Sequence, residues 1–196
     1  MRKRKIPEVI RAAIGAVLVL ALGLLPASRT SAEIEKQVIP GEKQLVFIWW
    51  PKVAPPDNWV HVPEISFQNH INMFVLKGQD FDDSPAVMYA RAIYFEKGNT
   101  EQELETAIQD DLKGFLEHSP DSNVAEAGTV PTGDGTRLRT ISFTPKDQGH
   151  WELVSYGREP NYVLMFCISA NSKEALDQHR DAFLAMVRSY TSRDGP

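Results

Sequence analysis

The chain has 196 residues and carries 21 Lys and Arg against 26 Asp and Glu. Without residues 1–32 the balance is 15 against 25, a net charge of −10, which repels nucleic acid and anionic lipid because binding either needs cationic groups. A single cysteine permits no internal disulfide, so the domain must be held by its core, which about 160 residues can supply.

The amino terminus reads as an export signal. "MRKRKIPEVIR" is basic, and the fourteen uncharged residues Ala12–Leu25 match a signal-peptide core while falling short of the ~20 that span a bilayer. Thr30–Ala32 offers small residues for cleavage after Ala32, which predicts a mature end at Glu33 and an extracytoplasmic product. An uncleaved anchor is the alternative. No cysteine follows the apolar run, which excludes a lipoprotein modification there.

Residues 33–43 read as a short polar lead and 44–196 as a single domain. "QLVFIWW" (Gln44–Trp50) is a predicted strand, followed by the turn-rich "PKVAPPDN" and then Trp59. A second strand ends at Gly78, and "AVMYARAIYFE" (Ala86–Glu96) is strand-like through its β-branched and aromatic residues. The period then changes. Thr100 and Glu103 form a capping box, and Leu104, Ile108, Leu112, Phe115 and Leu116 follow at helical spacing up to Pro120. "NVAEAGTV" and "RLRTISFTP" flank an Asp134–Gly135 turn as a hairpin. Asn171 and Glu174 pair as the cap of a last helix, whose stripe is Leu176, Phe183, Leu184, Val187 and Tyr190. Hairpin-linked strands with two widely separated helices predict an α+β fold, an antiparallel sheet whose faces are covered by helices.

"HWELVSYGREPNYVLMFCISA" (His150–Ala170) gathers the cysteine, a histidine and three large aromatic types. A loop at Gly157–Pro160 would place Tyr156 opposite Asn161, Leu153 opposite Leu164, Val154 opposite Val163 and His150 opposite Cys167. An imidazole beside a thiol is what a cysteine nucleophile needs. Yet "YVLMFCIS" is apolar on both alternating faces, the mark of a central covered strand, where cysteine packs as a small hydrophobe. The core reading is favoured, and an extracytoplasmic hydrolase or thiol enzyme using Cys167 and His150 is the alternative.

The five histidines show no helical i, i+4 pair and no HExxH. His61, His70 and the Asp80 loop could contribute to a metal site only as distant residues. Asp80, Asp82 and Asp83 share a loop without the spacing of an EF-hand. Neither GxSxG, P-loop nor GxGxxG occurs, and no cofactor is implied. The candidate contact residues are therefore on loops: Trp59 beside prolines, and the carboxylates of Asp80, Asp82 and Asp83. No metal ligand or catalytic residue is assigned. Trp49 and Trp50 point to opposite faces of their strand, so one is core and the other is core or contact.

The order of elements resembles the PsbP-like family. The similarity runs from about Val46 to Tyr190, through "PPDNWV", "ARAIYFEKG", the capped helix "NTEQELETAIQDDLKGF", "GDGTRLRTISF", the aromatic hairpin and "HRDAFLAMVRSY". The resemblance implies an α/β/α sandwich and a binding or assembly factor of the cell envelope, with a protein partner and no catalytic set to carry over.

Overall fold

The computed structural model describes residues 34–40, 44–96, 101–147, 149–150 and 151–192. The predicted signal segment and the capping residue Thr100 lie outside them. The elements are β1 (Ile34–Pro40), β2 (Leu45–Pro51), β3 (Trp59–His61), α1 (Pro63–Asn69), β4 (Asn72–Leu76), β5 (Ala86–Tyr94), α2 (Glu101–His118), β6 (Asn123–Pro131), β7 (Arg137–Thr144), β8 (Trp151–Glu159), β9 (Tyr162–Ala170) and α3 (Lys173–Ser189). No helix among the described residues is long and apolar enough to cross a membrane.

Seven strands form one antiparallel sheet in the order β3-β4-β5-β9-β8-β7-β6. The strand with two apolar faces, β9, takes its centre, as its pattern requires. One face carries Ala90, Leu138, Leu153, Leu164, Phe166 and Ile168, and α3 seals it with Phe183, Met186, Val187 and Tyr190. The other carries Ile141, Val154, Val163, Met165 and Cys167, and α2 covers it through Leu104 and Ile108. The α+β class and the layered sandwich follow from this packing. Each buried large side chain contributes on the order of 1.5–3 kcal/mol by leaving water.

Three local expectations are corrected. The residues read as a polar lead form β1, which pairs with β2 from Ile34↔Pro51 to Pro40↔Leu45 as a separate two-stranded sheet. Between His61 and His70, where no helix was expected, Pro63 sits in the first turn of the short α1, and left-handed His70 ends it. The cap of α3 is Ser172, whose hydroxyl accepts the Ala175 N–H at 3.1 Å, rather than Asn171.

The β8–β9 register also differs from the expected one. Glu159 pairs with Tyr162, so the turn is Pro160–Asn161, and Leu153 faces Ile168 while Val154 faces Cys167. Gly157 is not a turn residue. A Cβ there would meet Leu138 Cδ2 at 2.3 Å, so the glycine lets β7 and β8 pack closely.

Candidate functional site

The cysteine chemistry fails on this register. Cys167 is fully buried, with Val154 opposite on β8 and Tyr89 opposite on β5. His150 lies outside β8 and is exposed. Burial, and then the nearby Glu152 carboxylate, push the thiol well above its ordinary range, and Tyr89 shares a hydrogen bond with it. Such a thiol stays protonated and inert at neutral pH.

A second nucleophile-like grouping, unforeseen in the sequence, lies where β3 leads into α1. His61 Nε2 is 3.0 Å from Ser66 Oγ, and the charge of Glu35 acts on the imidazole. The hydroxyl proton is committed elsewhere. Ser66 Oγ donates to Val62 O at 2.7 Å and accepts from Met73 N–H at 2.9 Å, so the imidazole must donate to it. A serine nucleophile requires the opposite direction of transfer. Burial lowers the His61 pKa, against the pull of Glu35. Fully buried Ser66 therefore ties α1 to β4.

Metal binding through His61, His70 and the Asp80 loop finds no geometry. Among the described residues no group of three His, Cys, Asp or Glu side chains is placed to hold an ion. Asp80, Asp82 and Asp83 are exposed, as expected, in a turn closed by Ser84 N–H on Asp80 O at 3.0 Å.

Trp59 was expected at the surface and is only 5% exposed. Pairing of Trp59 with Leu76 turns its ring toward α3, where it meets His179 edge-on at 5.5 Å. Left-handed Asn58 (φ 65°) makes that turn of the chain possible. The indole closes the end of the α3-side core, so it is a folding residue.

Among the described residues the three most exposed large apolar side chains lie instead on the β1–β2 hairpin. Its base is anchored: Trp49 stacks on Tyr94 at 5.2 Å and meets Tyr162 edge-on, while Trp50 packs against Phe67 and His61. Both tryptophans thus serve docking, on opposite faces. Beyond them the hairpin continues with Val38 (48% exposed), Phe47 (51%) and Leu45 (60%). Val38 pairs with Phe47 and Pro40 with Leu45, so these side chains share one face with Trp49. Lys36 lies over the Phe47 ring, 4.3 Å from its centroid. The sequence signal was available as alternation on both sides of Gly41, but the charges of Glu35, Lys36, Glu42 and Lys43 masked it.

No protein-family model matches this sequence, and no curated protein matches it. Among solved structures it is similar to cyanobacterial PsbP from Synechocystis sp. PCC 6803, known in solution. The match covers 86% of this chain and 97% of that one, at 11% identity and a TM-score of 0.46. The fold class stated above rests on the sheet order and the two helix layers themselves.

Proposed function

We propose that this chain is an exported, non-enzymatic accessory module that binds a protein partner through its amino-terminal hairpin. The observation that supports this is the projecting apolar face of Val38, Leu45 and Phe47 on a firmly anchored base. A soluble domain gains nothing from holding three large apolar side chains in water on one strand pair, whereas a partner's apolar surface would bury them. The acidic balance disfavours nucleic acid and anionic lipid as occupants. Asp80, Asp82 and Asp83 provide a separate acidic contact, supported by their exposure. Export is supported by the basic-then-apolar pattern of residues 2–25 and by the small residues of Thr30–Ala32, which suit cleavage after Ala32.

A photo-crosslinking residue at position 47, in the native envelope, should yield one discrete protein adduct. That adduct should disappear when Leu45→Ser is added. Labelling of lipid alone, or an adduct only with a second copy of the chain, would refute the reading. Amino-terminal sequencing should begin at Glu33; a retained Met1 would mean an anchor.

A further inference from the structure

Helix α2 covers one sheet face unevenly. Its apolar side rests on β7, β8 and β9, with Phe115 against Phe143 at 4.5 Å, while its opposite flank overhangs β5. Between that flank and the strand is a cleft of about 620 Å³, within the ~300–1,000 Å³ of small-molecule sites. Ile93, Phe95, Ala107 and Met165 give it an apolar lining.

The charges around the cleft are unequally satisfied. Arg91, Met165, Tyr156 and Arg139 stand in one cross-strand row on this face. Arg139 is held by Glu105 of α2 at 2.8 Å and by Glu126 of β6, and Tyr156 donates to Asp111 of α2 at 2.5 Å. Arg91, at the open end of the same row, makes no hydrogen bond or ion pair among the described residues, and only its charge reaches Asp111. On the facing wall Asp110 likewise makes neither among the described residues. One guanidinium with free donors and one free carboxylate thus border an apolar floor from opposite walls.

We propose that this cleft binds a small apolar zwitterion, an amino acid or dipeptide, with its carboxylate on Arg91, its ammonium at Asp110 and its side chain on the apolar floor. A simple anion would meet the repulsion of Glu103, Asp110 and Asp111, and a simple cation that of Arg91. An uncharged apolar molecule would desolvate both charges without replacing their water. A ligand with two poles satisfies each wall, and Arg offers the carboxylate a two-pronged contact.

The test is calorimetric titration of the protein with L-leucine, L-phenylalanine and Leu-Leu, beside 3-methylbutylamine and 4-methylpentanoate as single-charge analogues. At least one zwitterion should bind about tenfold or more tightly than either analogue, as one charge-assisted hydrogen bond provides. Arg91→Gln should remove the advantage over the amine, and Asp110→Asn the advantage over the carboxylate. Both side chains are exposed, so unfolding temperatures should be unchanged. No binding by any zwitterion, equal binding by an analogue, or variants that leave affinity unchanged would overturn the proposal. Binding of Leu-Leu but not of the free amino acids would identify the peptide as the ligand.

Discussion

Replacing Trp59 by alanine and Phe47 by serine should separate a folding aromatic from a contact aromatic. Trp59 is 5% exposed and Phe47 51% exposed. Truncating a buried tryptophan costs about 3–5 kcal/mol, from lost transfer energy and the cavity left behind. In a domain of this size each kcal/mol moves the unfolding midpoint by about 2–4 °C, so Trp59→Ala should lower it by about 6–20 °C. Full burial of a phenylalanine contributes about 1.5–3 kcal/mol, and the half that Phe47 achieves leaves a loss of about 1 kcal/mol. Phe47→Ser should therefore lower the midpoint by about 2–4 °C. Thermal unfolding followed by far-ultraviolet circular dichroism gives the midpoints. Partner crosslinking is then measured from position 38, which faces Phe47 across the strand pair, well below both midpoints. Phe47→Ser should lose the adduct while folded, and Trp59→Ala should keep it while folded. A Trp59→Ala midpoint within 2 °C of the wild type, or a Phe47→Ser loss as large as that of Trp59→Ala, would refute the reasoning.

Cys167 should react slowly with a thiol reagent at neutral pH in the folded protein, and Cys167→Ala should cost about 1 kcal/mol through lost packing; rapid labelling that depends on His150 would contradict the assigned register. Burial alone would raise the Asp134 carboxyl, but donors from Thr132, Thr136 and Ser192 outweigh it and hold the group at about 2. Its stabilising effect is present above the unfolded value of about 3.9 and is lost as pH falls through about 2, so Asp134→Asn should destabilise at pH 7 and hardly at pH 2. Asp111 has the opposite sign: burial raises its pKa against the Tyr156 hydrogen bond and Arg91, and stability present below the unfolded value is lost as pH rises through the folded one. Asp111→Asn should thus gain on the wild type as pH rises above the unfolded carboxylate value of about 3.9 in urea titrations, and a constant difference would argue against the half-buried carboxyl. Gly133→Ala would place a Cβ 2.6 Å from the backbone oxygen of Arg188 and should cost about 1–3 kcal/mol by displacing the end of α3.

The central place of β9 was legible from its two apolar faces, and α2 and α3 from their 3.6-residue stripes. These are properties a segment has alone, because side-chain direction follows from the local backbone period. Even the mistaken β8–β9 register left each side chain on its correct face. The actual pairing differs from the expected one by four residues, an even number, and alternation is blind to even slips. The turn at Pro160–Asn161 puts Gly157 inside β8, where Leu138 on a different strand occupies the space a side chain would need. Phe95 O adds to this by accepting from Asn161 Nδ2 at 3.0 Å. Contacts of that kind join residues far apart in the chain and leave no local period.

The same reason separates Trp59 from Phe47. Both are aromatics near a strand end, and nothing in either neighbourhood distinguishes the covered one. Helix α3, more than a hundred residues downstream, covers Trp59, whereas no described element reaches the outer half of the β1–β2 hairpin. Sequence thus determined the long helices α2 and α3 and the central strands, with the way their side chains point, since both are local, while β1 and the short α1 escaped it. Tertiary structure alone decided which apolar side chains found a cover, because burial depends on what the rest of the chain brings alongside.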